Sequence, residues 1–101
     1  MNVLITTWQA GGGAQCAIGL GRLLAERHRT RILGPAGHAA RVARAGCLHR
    51  PFPPQLESDA ASGRRFEDQR LVSDRLFFGR ELPDALAAEL EVEPADVVVI
   101  D

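Results

Sequence analysis

Four short apolar runs along the chain are candidates for β-strands. The runs at residues 2–7 and 96–100 contain the uninterrupted apolar stretches "VLI" and "VVVI" and are rich in β-branched residues, which is typical of parallel strands covered on both faces. The runs "RTRILGP" and "CLHRPF" are shorter and end at glycine or proline, and Pro51 favours a sheet edge for the second. The sequence therefore predicts four strands, with the first and the last of them buried.

The segments between these runs have helical periodicity. A first helix is predicted at about residues 14–27, and "GHAARVARAG" predicts a second that ends at Gly46 in a left-handed conformation. After a predicted loop at residues 53–63, two more helices are expected at residues 64–79 and 81–94. The first helix is expected to bury a stripe of Cys16, Leu20, Leu23 and Leu24, leaving Arg22, Glu26 and Arg27 outside it.

This order of elements predicts an α/β fold with a Rossmann-like, three-layer α/β/α architecture and a mostly parallel sheet. The 101 residues suffice for one domain. In a doubly wound sheet of strand order 3-2-1-4 the last strand, "VVVI", would present an uncovered apolar edge, which natural sheets avoid. We therefore expect that the chain is an N-terminal part of a longer protein, or that another chain, such as a second copy in a homo-oligomer, continues the sheet.

Composition limits the class of protein. The chain has no apolar run near the ~20 residues that span a bilayer, and its N-terminus lacks the features of a signal peptide, so we expect a cytoplasmic protein without a membrane segment. Cys16 and Cys47 are accordingly expected to be reduced core residues.

Charge is distributed unevenly along the chain. Residues 1–50 contain seven arginines and one acid, whereas residues 51–101 contain five arginines and twelve acids. The net charge of −1 and the 5% aromatic content argue against a nucleic-acid partner. The chain has no lysine, which excludes every mechanism that requires one.

The segment "TTWQAGGGAQC" joins the first strand to the first helix. Ligands of doubly wound sheets bind beyond the carboxyl ends of the strands, where the strand order reverses. Here that point lies between strands one and four, so Gly11, Gly12 and Gly13 are expected to border the same crevice as Asp101. The glycines are either an open loop that faces a ligand or a simple flexible turn.

Familiar cofactor motifs do not fit this segment. A dinucleotide fingerprint would need glycine where Cys16 stands and an acid after strand two, and a P-loop would need a lysine. A receiver domain would need an acidic pair after strand one. The three histidines share no metal-ligand spacing, so no metal and no cofactor is predicted; the histidines are His28, His38 and His49.

Three stretches, "MNVLITTW…GGGAQCAIGLGRLLAERHRTRILGP", "RVARAGCLHRPFP" and "LFFGRELPDALAAELEVEPADVVVID", together resemble the N-terminal half of GT-B glycosyltransferases. The likeness is greatest to the bacterial antibiotic and macrolide group related to UDP-glucuronosyltransferases. In that family the N-terminal domain binds the acceptor and the C-terminal domain binds the nucleotide sugar. The resemblance implies a small-molecule acceptor for this chain, with the nucleotide sugar held by a C-terminal domain that the chain lacks.

The resemblance also implies roles for particular residues. The family has a histidine after strand one that deprotonates the acceptor hydroxyl, and an aspartate after strand four that orients this histidine. Asp101 matches the aspartate, but Gly13 stands at the histidine position. Either the acceptor is acidic enough to need no base, or another residue supplies one, or the chain does not catalyse transfer. His28 matches a structural histidine of the family.

Aromatic residues near the expected crevice are candidates for acceptor contacts. Trp8 either lines an acceptor pocket or packs under the first helix, and Phe77 and Phe78 either meet an aromatic aglycone or belong to the core. Asp101 is either part of the site or a solvated residue. Two functions remain open: the acceptor-binding part of a glycosyltransferase, and a non-catalytic, stand-alone Rossmann-like module that binds a nucleotide or another small ligand.

Overall fold

The computed structural model describes residues 1–7, 11–54 and 81–100. The chain divides into two compact units, one of residues 1–51 with 95–101 and one of residues 52–94. The prediction of a single domain stays a prediction. The first unit contains a four-stranded sheet with two helices, and the second contains one described helix.

The sheet of the first unit is entirely parallel, with the strand order β3-β2-β1-β4. The predicted Rossmann-like α/β fold and the predicted strand order are both confirmed. The elements of this unit are β1 (Asn2–Thr6), α1 (Gly11–Ala25), β2 (Arg29–Gly34), a 3-10 turn (Ala36–His38), α2 (Ala39–Arg44), β3 (Leu48–Pro51) and β4 (Val97–Ile100).

The first and last strands are joined along their whole length. Val3 of β1 pairs with Val97 of β4, and the pairing continues to the carboxyl ends of both strands. At the amino ends, the Asp96 amide donates to the Asn2 carbonyl at 2.8 Å and the Asn2 amide donates to Asp96 Oδ2 at 2.7 Å. These reciprocal bonds fix the register, because a slip of one residue would break both.

Helix α1 begins earlier than the sequence pattern predicts. The structure places Gly11, Gly12 and Gly13 in the first turn of α1, whereas the predicted helix starts near Ala14. The prediction that these three glycines form a loop is therefore wrong. Glycine is less favourable than alanine in a helix by about 1 kcal/mol per residue. A prediction from helix propensity alone therefore starts α1 after the three glycines.

Helix α1 also buries a different face from the predicted one. The buried residues are Ala14, Ala17 and Gly21, whereas Leu23 is 68% exposed. A methyl group at Gly21 would lie 3.0 Å from the Cys47 sulfur and 3.1 Å from Ile32 Cδ1, so the helix lies very close to the sheet there. Small residues allow this approach, and the larger apolar side chains Cys16, Leu20 and Leu23 are left exposed. Leu24 of the predicted stripe is half-buried and packs against the core.

The core of the first unit lies between the sheet and its two helices. Its buried residues come from β1, α1, β2, α2 and the segment before β3, and they are Val3, Ile5, Ala17, Ile32, Val42 and Cys47. Since α1 and α2 both contribute to this one cluster, they cover the same face of the sheet.

Helix α2 ends as the sequence predicts. Gly46 has a φ of +82°, the left-handed conformation expected of a glycine cap. Its amide donates to the Ala43 carbonyl at 3.0 Å, and the Cys47 amide donates to the Val42 carbonyl at 3.2 Å. This pair of bonds is a Schellman motif, and it directs the chain from α2 into β3.

Strand β4 is an edge strand, as expected from the strand order, but it is not the buried strand that its composition predicts. Ile100 is 60% exposed, and Val97 and Val98 are each 39% exposed. An apolar sequence indicates that a strand is suited to burial, but it does not tell whether another element covers the strand. Among the described residues, β4 has a neighbouring strand on one side only. The expected apolar edge is therefore present.

The two cysteines lie in different environments, so the prediction that both fill the core is wrong for Cys16. Both are free; Cys16 is exposed and Cys47 is buried, and burial raises the pKa of the Cys47 thiol. We expect a thiol reagent at neutral pH to modify Cys16 rapidly and Cys47 only on unfolding. A Cys16→Ser variant should retain the slow phase alone. Rapid modification of both thiols in the native protein would contradict the described packing.

The second unit contains α3 (Glu81–Val92), which confirms the predicted helix at residues 81–94 to within two residues. Leu82, Ala85 and Phe52 are its buried apolar residues among those described. The helix predicted at residues 64–79 and most of the loop predicted at residues 53–63 lie outside the described residues. None of the described helices is long and apolar enough to span a bilayer.

Candidate functional site

The carboxyl edge of the sheet is where strands β1, β2 and β4 end side by side. Thr6 is aligned with Leu33 of β2 on one side and with Ile100 of β4 on the other. The chain leaves β1 there toward the first turn of α1, and it leaves β4 there toward Asp101. The sheet thus brings to one edge the end of β1 and the end of β4, the strand that Asp101 follows in the chain.

Two buried threonines at the end of β1 tie it to β2 at this edge. The Thr6 hydroxyl and the Thr7 amide both donate to the Leu33 carbonyl at 3.2 Å, and both threonines are buried. A methyl group at Gly34 would lie 3.0 Å from the Thr7 carbonyl oxygen. The ends of β1 and β2 are therefore held in close backbone contact, which gives the edge a fixed shape.

His49 reinforces the same edge from β3. Its Nε2 lies 3.2 Å from the carbonyl oxygens of both Gly34 and Pro35. Because carbonyl oxygens only accept, Nε2 carries the hydrogen and donates to both. The histidine thus fixes the turn after β2, a role that its position in the sequence does not reveal. The described residues contain no cluster of histidines, cysteines and acids that could hold a metal ion.

The first turn of α1 brings backbone donors to this edge. Its amides belong to Gly11, Gly12 and Gly13, and the first four amides of a helix have no acceptor within the helix. The helix dipole adds a partial positive charge at this end. The arrangement therefore favours an oxygen-rich or negatively polarised group, but Gly13 offers no side chain that could remove a proton.

A small apolar recess lies between α1 and β4. It has a volume of about 130 Å³ and is lined by Ile5, Cys16, Ala17, Leu20, Val99 and Ile100. This volume is below the ~300–1,000 Å³ of complete ligand sites, so the recess is too small to enclose a whole drug-sized ligand. The sequence pattern does not reveal this recess, because the predicted stripe of α1 places Cys16 and Leu20 in the core.

Arg31 is a second feature that the sequence pattern does not reveal. It lies in the middle of β2, is completely buried, and its Nη1 donates to the side-chain oxygen of Asn2. Since Asn2 also pairs with Asp96, this arginine supports the pairing of β1 with β4. Its place within the sheet indicates a structural role.

The other predicted site residues are not placed by the structure. Trp8, Phe77, Phe78 and Asp101 lie outside the described residues, so their roles stay predictions. The backbone of Gly11, Gly12 and Gly13 is placed in the first turn of α1, and Cys16 in the next turn lines the same recess as Ile100 of β4. Neither a scan against models of protein families nor a search of curated proteins finds a match to this chain.

Proposed function

We propose that this chain is the acceptor-binding part of a GT-B glycosyltransferase, which moves a sugar from a nucleotide sugar to the hydroxyl group of a small, natural-product-like molecule. The nucleotide sugar would be bound by a second domain outside these 101 residues. The observation that carries the proposal is the parallel pairing of β1 with β4, with Thr6 aligned to Ile100. It supports a shared crevice bordered by the glycine turn and Asp101.

Two further observations support an acceptor as the ligand. The recess between α1 and β4 is lined mainly by apolar side chains and reaches Ile100, next to Asp101 in the chain. The first turn of α1, whose amides have no acceptor within the helix, precedes Cys16, which lines the recess together with Ile100. Ligand sites commonly combine an apolar wall with a few polar groups, which suits an aromatic molecule that carries a hydroxyl group.

The absence of a side chain at Gly13 limits which hydroxyl groups can react. A general base speeds proton transfer by about 10²–10⁴-fold, and this position cannot supply one. A phenol loses its proton near pH 10, as tyrosine does, far more easily than an aliphatic alcohol. The proposed acceptor is therefore a phenol or a more acidic hydroxyl compound.

Binding is tested by titration while the fluorescence of Trp8, the single tryptophan, is followed. We expect saturable quenching by a phenolic aromatic aglycone and no saturable change with NAD. The product of the complete reading frame should transfer sugar from a nucleotide sugar to the same aglycone. Saturation by NAD with no response to the aglycone would overturn the proposal.

The second candidate is a non-catalytic Rossmann-like module that binds a nucleotide or another small ligand. The placement of three glycines in the first turn of α1 favours it, because bare amides at a helix N-terminus suit phosphate groups. The same titration separates the two functions. If the chain is the non-catalytic module, a nucleotide saturates the protein, and the product of the complete reading frame transfers no sugar.

A further inference from the structure

A cleft runs between α1 and α2 on their outer side. It has a volume of about 380 Å³ and is lined by three arginines, Arg22 from α1 and Arg41 and Arg44 from α2. The residues that α1 contributes are three or four positions apart, so they lie on one face of the helix. They are Gln15, Ile18, Gly19 and Arg22. The volume lies within the range of small-molecule sites, ~300–1,000 Å³.

The three arginines are exposed and available to a ligand. In the part of the chain that the structure describes, none of the three guanidinium groups makes a hydrogen bond or an ion pair. Residues 1–50, which include both helices that form the cleft, contain a single acid, Glu26. All three arginines line the same cleft. Guanidinium groups bind phosphate by paired, charge-assisted hydrogen bonds.

Three of the residues that line the cleft are apolar, and we call them its floor. They are Ile18, Gly19 and Ala45, and Gln15 is the one other described lining residue besides the arginines. A methyl group at Gly19 would meet nothing within 4 Å. The missing side chain leaves space for the body of a ligand. A floor of this kind adds affinity for a molecule that carries an apolar group beside its charge.

We propose that this cleft binds a small phosphate monoester with an apolar or aromatic body, with the phosphate held by Arg22, Arg41 and Arg44 and the body lying on the floor at Gly19. This site is independent of the proposed acceptor site, since it lies on the outer side of the helices and shares none of the residues of the carboxyl edge. Its failure therefore leaves the proposed function untouched.

Isothermal titration with phenyl phosphate and with inorganic phosphate tests the proposal on the full chain. We expect saturable binding of phenyl phosphate and at least about tenfold weaker binding of inorganic phosphate, because the latter lacks the apolar body. Affinity should fall as salt is raised. Equal affinity for the two probes, or no binding of phenyl phosphate, would overturn the proposal.

Variants separate a built site from the general attraction of a basic surface. Arg22→Gln and Arg44→Gln should each weaken phenyl phosphate binding by about tenfold or more. Arg27→Gln is the matched control, since this exposed arginine just beyond the end of α1 does not line the cleft, and it should change binding by less than about twofold. Equal losses in Arg27→Gln and Arg22→Gln would show attraction by charge alone.

Filling the cleft gives a test that leaves every charge in place. Gly19→Leu puts a side chain into the open space above the floor, and we expect it to abolish phenyl phosphate binding while the circular dichroism spectrum stays native. Gly37→Ala, another position where a methyl group meets nothing within 4 Å, is the control and should bind normally. Unchanged binding by a folded Gly19→Leu variant would contradict the proposed site.

Discussion

Replacing Gly21 with alanine is expected to lower the free energy of unfolding, although alanine is the better helix former. The added methyl group would lie 3.0 Å from the Cys47 sulfur and 3.1 Å from Ile32 Cδ1, both in the buried core. Overpacking of this kind costs about 1–3 kcal/mol, and the gain in helix propensity offsets about 1 kcal/mol of it. Urea unfolding monitored by circular dichroism measures the net change.

Gly19→Ala in the same helix is the matched control. Its methyl group meets nothing within 4 Å, so only the gain in helix propensity remains, and we expect stabilisation by about 0.5–1 kcal/mol. The propensity contribution cancels between the two variants. Their difference, about 1–3 kcal/mol, is then the packing cost at Gly21 alone. If both variants were stabilised equally, α1 would not lie as close to the sheet as described.

Replacing Gly13 with histidine is expected to raise the rate of sugar transfer to aliphatic alcohols by about 10²–10⁴-fold in the product of the complete reading frame. This rests on the proposed function, in which Gly13 occupies the position of the general base. The unmodified protein should transfer sugar to phenols, with a rate that rises with pH as the phenol ionises. Its rate with aliphatic alcohols should be far lower. Initial rates at several pH values measure both effects.

Gly12→His is the control for this substitution. Successive residues of an α-helix point about 100° apart, so an imidazole at Gly12 would face a different direction from one at Gly13. We expect no gain in rate from Gly12→His. Equal rates for the two histidine variants, or equal transfer to phenols and aliphatic alcohols by the unmodified protein, would remove the argument for a missing base.

The topology of the sheet was predictable from the chain because each strand is a local pattern. Four short apolar runs predicted the four strands, and their alternation with helices implied parallel pairing. Gly46 was predictable for the same reason, since a glycine at a helix end signals a left-handed residue. Such features depend on a few neighbouring residues.

Features that depend on contacts between distant segments were not predictable. The buried face of α1 depends on how closely Gly21 approaches Cys47 and Ile32, which no periodicity in α1 reports. For the same reason the sequence did not reveal the recess beside β4 or the bonds of His49 to the turn after β2. The composition of β4 likewise does not tell whether a neighbour covers it.

The most direct test of the proposed acceptor site is to map a bound phenolic aglycone by amide chemical shifts in the ¹⁵N-labelled chain. We expect saturable shifts at the carboxyl edge, in Thr7, in the three glycines of the first turn of α1 and in Ile100. Little change is expected at Arg29 and Leu48, where β2 and β3 begin. Shifts centred on those amino ends, or none at saturating aglycone, would contradict the proposed acceptor site.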